Sequence, residues 1–127
     1  MADAADILLV EDDEDLSEVL ADLLAECGYK VATCVHGLQA LGYLEANPLP
    51  ALILLDWMMP VMDGPTLFRQ MKLRPETSGL PVVFITARAS QRDLDELKVL
   101  GAAGTISKPF SPKDLPEQLR AIWAALP

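Results

Sequence analysis

A carboxylate pair, a single carboxylate, a hydroxyl and an ammonium each stand directly after a short apolar run. Glu11-Asp12 follows Ile7 to Val10, Asp56 follows Ala51 to Leu55, Thr86 follows Pro81 to Ile85, and Lys108 follows Gly104 to Ser107. If these groups meet, Glu11, Asp12 and Asp56 would repel one another unless a cation lay between them, and hard oxygen ligands attract Mg²⁺ or Ca²⁺. Mg²⁺ fits better, because it commonly takes one or two protein carboxylates, keeps several waters and leaves positions for phosphate oxygens. Lys108 adds a point positive charge suited to phosphate, and Thr86 a hydroxyl that can donate to a phosphate oxygen. Such a set suits phosphoryl transfer, which depends mostly on positioning and on neutralising spreading charge. Asp56 can serve as nucleophile, forming an acyl phosphate. Taken singly, each residue has a plainer role. Asp13 is placed to cap the helix that follows it, an aspartate or threonine after a strand is commonly a turn residue, and Lys-Pro in a loop means little alone.

The elements that must position these groups alternate. Asp6 to Val10 is a short apolar strand, and Leu16, Val19, Leu20, Leu23 and Leu24 recur at helical spacing before Gly28 as the stop. Lys30 to Val35 is strand-like, and Leu38, Leu41 and Leu44 mark a helix up to Asn47-Pro48. Ala51 to Leu55 and Pro65 to Leu73 repeat the pair, as do Pro81 to Ile85 and the helix of Leu94, Leu97, Val99 and Leu100 closing at Gly101. Gly104 to Ser107 is a fifth strand, and Ser111-Pro112-Lys113-Asp114 opens a last helix with the serine as cap. Pro116, a turn inside that helix, predicts a kink or a late start. Strands apolar on both sides, alternating with helices, predict an α/β fold: a doubly wound, five-stranded parallel sheet with five helices. In that class ligands bind beyond the carboxyl ends of the strands, near the point where strand order reverses, so the chemistry-bearing residues should share one crevice.

The 127 residues make one domain, read here as residues 1–127, with 51% hydrophobic and 23% charged residues. A net charge of −9 argues against nucleic-acid binding by this chain. Leu49 to Leu55 is its longest apolar stretch, far short of a membrane helix, and the N-terminus lacks the pattern of a signal peptide; a cytoplasmic protein is expected. Cys27 and Cys34 have no metal or redox spacing and are expected as reduced core residues. His36, at a strand-helix junction, is expected at the surface rather than on a metal.

Four segments together resemble the signatures of response-regulator receiver domains, in order and over nearly the whole chain: Ile7-Leu8-Leu9-Val10-Glu11-Asp12-Asp13, Leu54-Leu55-Asp56-Trp57-Met58-Met59-Pro60-Val61-Met62-Asp63-Gly64, Val83-Phe84-Ile85-Thr86-Ala87 and Ser107-Lys108-Pro109-Phe110. The resemblance implies a flavodoxin-like fold with receiver topology, and a phosphoacceptor switch in place of a turnover enzyme. Asp56 is then the acceptor, and Asp12 a direct Mg²⁺ ligand. Glu11 acts on the metal through water, and the Met58 backbone carbonyl is a further ligand. Thr86 and Lys108 grip the phosphoryl group, a cis Lys108-Pro109 bond holds the lysine, and Met58 and Arg88 border the acyl phosphate and influence its lifetime. The implied partners are a histidine kinase or histidine phosphotransfer protein, and a downstream protein target or an output domain missing from this chain. A face formed by the fourth helix, fifth strand and fifth helix is available for pairing with a second copy.

One position departs from the family. Receivers commonly carry an aromatic residue three positions before the lysine, and here Thr105 stands there, so a weaker response of that face is expected, carried by the Thr86 to Arg88 loop and the helix start near Ser90 to Leu94. Three other functions compete. A haloacid-dehalogenase-type phosphatase needs a second acid two residues after its nucleophile, where this chain has Met58. A pseudo-receiver has usually lost the acceptor, an acid or the lysine, all of which are present. A flavodoxin-like FMN carrier needs a Gly/Ser/Thr-rich phosphate loop after the first strand, which is absent.

Overall fold

The computed structural model describes residues 4–86, 90–107 and 114–126. Its elements run β1 (Ile7–Val10), α1 (Glu14–Glu26), β2 (Val31–Cys34), α2 (Gly37–Ala46), β3 (Leu52–Asp56), α3 (Gly64–Lys72), β4 (Val82–Thr86), α4 (Gln91–Leu100), β5 (Gly104–Ser107) and α5 (Asp114–Ala124). All strand pairs are parallel, in the order β2-β1-β3-β4-β5. The expected doubly wound sheet is therefore present, and its order reverses between β1 and β3.

Burial explains the pattern of the runs. Every residue of β1, β3 and β4 is buried, because helices cover both faces of these inner strands. β2 lies at an edge and buries only Cys34 fully, which is why its sequence reads less apolar. Alternate strand residues feed two cores. Leu8, Val10, Ile53, Leu55, Val82 and Phe84 pack with α2, α3 and Leu97 of α4. Ile7, Leu9, Leu52, Leu54, Val83 and Ile85 pack with Leu20 and Leu24 of α1 and Leu115 and Leu119 of α5.

Side-chain caps set the helix starts. Asp13, as expected, accepts from the Leu16 N–H at 3.1 Å, and Asp63 accepts from the Thr66 N–H at 2.8 Å, so α3 begins at Gly64 with Pro65 in its first turn. His36, half-buried, accepts from the Gln39 N–H through Nδ1 at 3.0 Å. Its junction position is thus explained by capping, a role its residue type did not announce. Pro116 lies within α5, which is described from Asp114 onward; the residues that would decide between a late start and a kink lie outside the described residues. The expected Ser111 cap lies outside the described residues. Cys34 is buried and desolvation pushes its thiol up to about 11, in keeping with an inert core thiol. Cys27 corrects the reading of both cysteines as core: it terminates α1 and is exposed.

α4 carries a full capping box. Ser90 Oγ accepts from the Asp93 N–H at 3.1 Å, and the Asp93 carboxylate accepts from the Ser90 N–H at 3.3 Å. Because Leu97 is the helix's one buried residue, the cap supplies a large share of its hold, and Ser90→Ala is expected to cost about 1 kcal/mol, visible as a lower urea midpoint with an unchanged slope.

Candidate functional site

Register determines which side chains can meet. Val10 pairs with Leu55, so Glu11 and Asp56 are the next residues on two adjacent strands. Asp56 pairs with Ile85, which puts Thr86 one residue past the acidic position on the neighbouring strand, opposite Ser107. The Glu11 N–H continues the ladder to the Cys34 carbonyl at 3.0 Å, and the Trp57 N–H to the Ile85 carbonyl at 3.0 Å. The strand ends carrying the acids are therefore fixed by the sheet, while Asp12 lies in the turn that Asp13 closes onto α1.

One carboxylate oxygen from each of Glu11, Asp12 and Asp56 lies within 4.8 Å of the other two. Glu11 is 1% exposed, Asp56 4% and Thr86 4%, whereas Asp12 opens to solvent. Oxygen-only donors, two of them withdrawn from water and one at the surface, form the kind of set that holds a hard divalent cation while leaving a solvent-facing side for a phosphate. No sulfur or imidazole joins this group, so the donors do not suit zinc. Of the residues read from sequence as one site, Glu11, Asp12, Asp56 and Thr86 are brought to one end of the sheet. Lys108, Pro109 and Arg88 lie outside the described residues.

The loop after Asp56 is built with unusual closeness. Gly64 donates its N–H to the Trp57 carbonyl at 2.9 Å, and a Cβ at Gly64 would fall 2.5 Å from the Asp56 carbonyl oxygen and 3.1 Å from a ring carbon of Phe84. Only a glycine lets α3 begin this near the strand that ends in the acid. Within the loop, Met62 donates its N–H to the Pro60 carbonyl at 2.7 Å around Val61, whose φ is 69°. Met59 is buried and Met62 packs against the core, while Met58 is 73% exposed. Trp57 packs on this side with its ring tilted against Phe84 at 5.7 Å, and Phe84 in turn meets Phe68 edge-on at 5.5 Å. Sequence reasoning passed over Gly64 and Val61; the Asp63-Gly64-Pro65 succession was the available sign of a capped helix start.

Thr105 pairs with Phe84 in the β4–β5 register and is half-buried. It lines a recess of about 340 Å³ together with Gln91, Leu94 and Lys98. Thr105 thus borders a hollow between α4 and β5.

Both the sequence and the fold have known relatives. The family of the response regulator receiver domain matches residues 7–120. The chain is 37% identical over 116 residues to the phosphate regulon transcriptional regulatory protein PhoB of Rhizobium meliloti, covering 91% of this chain and 51% of that one. It is likewise 37% identical over 116 residues to the transcriptional regulatory protein BaeR of Escherichia coli, covering 91% of this chain and 47% of that one. The chain thus spans about half the length of these curated relatives. Among solved structures, the chemotaxis protein CheY4 of Vibrio cholerae superposes with a TM-score of 0.85 at 28% identity, over 94% of this chain and 99% of that one. The receiver domain of sensor histidine kinase PA1611 from Pseudomonas aeruginosa, which has a magnesium ion coordinated in its active-site cleft, superposes with a TM-score of 0.81 at 28% identity, over 97% of this chain and 100% of that one. Among the described residues no helix is long and apolar enough to cross a membrane. With its sheet order, its acidic cluster and its sequence all in agreement, the chain belongs to the response-regulator receiver domain family.

Proposed function

We propose that residues 1–127 form a single receiver domain that works in the cytoplasm as a Mg²⁺-dependent phosphoacceptor switch, with Asp56 as the acceptor. The convergence of Glu11, Asp12 and Asp56 within 4.8 Å carries this reading. Asp12 and Asp56, with the Met58 carbonyl, would hold the metal directly and Glu11 through water. The bound cation would offset the charge of the acids and of the incoming phosphate.

An oxygen of Asp56 attacks the phosphorus of a phosphohistidine on a kinase or phosphotransfer protein. A P–O bond forms, the P–N bond breaks, and its electron pair leaves with the imidazole nitrogen. The Thr86 hydroxyl and the Lys108 ammonium bind phosphoryl oxygens, and Pro109 fixes the lysine. Burial of Asp56 limits access by water, which favours a stored acyl phosphate over immediate hydrolysis. By resemblance to the family, Met58 and Arg88 would influence the lifetime of this bond. A phosphatase that turns over small esters fits less well, since the second position after Asp56 offers a solvent-exposed methionine and no general acid.

The added charge and acceptors draw Thr86 and its loop inward, and the change is passed to α4 and to a downstream target or output domain, with the α4-β5-α5 face open to a second copy. Acetyl phosphate with Mg²⁺ should add one phosphoryl group to the protein, read by intact mass, and EDTA should prevent it. Persistence of labelling in EDTA would overturn the metal requirement.

Mg²⁺ should also stabilise the fold, because it binds the assembled acids and not the unfolded chain. At about one hundred times its dissociation constant the gain is about 2.7 kcal/mol. Asp12→Ala is expected to lose the Mg²⁺-dependent rise in Tm while melting no lower than wild type without metal, since one repelling charge has gone. An undiminished rise would remove Asp12 from the ligand set.

A further inference from the structure

Positive φ is rare for a β-branched residue, and the three-residue turn closed by the Met62 N–H and the Pro60 carbonyl at 2.7 Å puts Val61 at 69°. Its own side chain gains nothing in exchange, being 76% exposed. Neighbours on both sides impose the turn. Met59 is buried on one side, and on the other Met62 packs against the core, so close to Gly37 that a Cβ there would lie 2.9 Å from it. Asp63 then caps α3 and Gly64 is bonded back to Trp57. Seating two methionines three residues apart requires a tight reversal between them, and the reversal falls on Val61. Opening it would shift the short limb Met58 to Pro60, which starts two residues beyond Asp56.

We infer that Val61 is a positioning residue that weakens metal binding: its strain favours a relaxed loop in which the Met58 carbonyl is withdrawn, so that the metal-ready loop is only part of the population. This inference rests on the metal site proposed above. A residue at ease with positive φ removes the strain without touching any ligand, and an equilibrium that reduces the competent fraction reduces apparent affinity by that same fraction. Glycine and asparagine tolerate this conformation, whereas isoleucine retains the branch at Cβ.

The test is a Mg²⁺ titration of the whole protein followed by fluorescence, Trp57 lying directly after Asp56. Val61→Asn is expected to bind Mg²⁺ up to about fivefold more tightly than wild type, which is about 1 kcal/mol. Val61→Gly should also bind more tightly, though by less because it loosens the loop, and Val61→Ile should match wild type. Labelling by acetyl phosphate should rise in Val61→Asn at limiting Mg²⁺ and equal wild type at saturating Mg²⁺. If Val61→Asn and Val61→Gly raise Tm but leave the Mg²⁺ midpoint unchanged, the strain is the same with and without metal and the inference is overturned. Should the asparagine variant not fold, the glycine variant decides alone. Asp12→Ala and Asp56→Asn proteins that both still bind Mg²⁺ as wild type does would instead overturn the metal site itself, and with it this role of Val61.

Discussion

Asp56→Asn is expected to lose phosphoryl labelling completely while keeping the fold. Asparagine has the shape of aspartate but lacks the anionic oxygen that must attack phosphorus, and Thr86 and the acids that follow β1 cannot supply a substitute nucleophile of the same strength. Because Asp56 is 4% exposed and ends an inner strand, the exchange adds no bulk to the core. One negative charge fewer beside Glu11 and Asp12 should leave Tm in the absence of metal equal to or above that of wild type. Intact-mass measurement after acetyl phosphate and Mg²⁺, with peptide mapping of the wild type, checks both halves. Wild-type label at another residue, or undiminished label in Asp56→Asn, would refute the assignment.

Gly64→Ala is the second large effect, and its origin is steric. The new methyl would meet the Asp56 carbonyl oxygen at 2.5 Å, a Phe84 ring carbon at 3.1 Å and the Trp57 Cα at 3.1 Å, two of these three atoms being backbone. Backbone at the end of an inner strand gives way only by shifting the strand or α3, so a loss of about 3 kcal/mol is expected, or roughly 10 °C in Tm for a domain of this size. Phosphorylation should slow beyond what instability explains, since the displaced atoms adjoin the acceptor. Gly42→Ala is the matched control. Gly42 is exposed within α2 with nothing within 4 Å of an added Cβ, so the same substitution there should raise stability by about 0.5–1 kcal/mol. Equal melting temperatures for the two variants would show that the close approach at Gly64 relaxes freely.

The contrast between these glycines also shows what can be read from a chain of letters. The strands were legible because inner strands of a covered parallel sheet are apolar at every position, as at Leu52 to Leu55, and a polar residue directly after such a run marks the strand's end. Glu11, Asp56 and Thr86 could therefore be assigned to one end of the sheet before any coordinates were known. Asp13 as a cap was legible for a similar local reason. Gly64 was not, because its constraint comes from a strand end eight residues away in sequence and from Phe84 on β4. Nor was the turn at Val61, which is imposed by the burial of Met59 and the packing of Met62 against a valine's own preference. The exposure of Cys27 escaped notice because an apolar helix end was taken for a buried one, and His36 because capping is a minor use of histidine. Pro109 and Arg88 rest on the family resemblance alone, and Lys108 on that resemblance together with its place directly after the fifth apolar run.

α4 touches the core through Leu97 and is otherwise held by its ends, with a capping box at Ser90 and a left-handed glycine at Gly101. Val99 is 86% exposed and Leu100 41%, beside Arg92, Asp95 and Glu96. A helix anchored in this way separates inheritance of the chemistry from inheritance of the dialogue. Glu11, Asp56 and Thr86 are buried at the ends of inner strands, where nearly any substitution is penalised, whereas the outward positions of α4 can drift at little cost to folding. After a gene duplication, two descendants could keep an identical reaction and diverge in whom they address by rewriting this one exposed stretch.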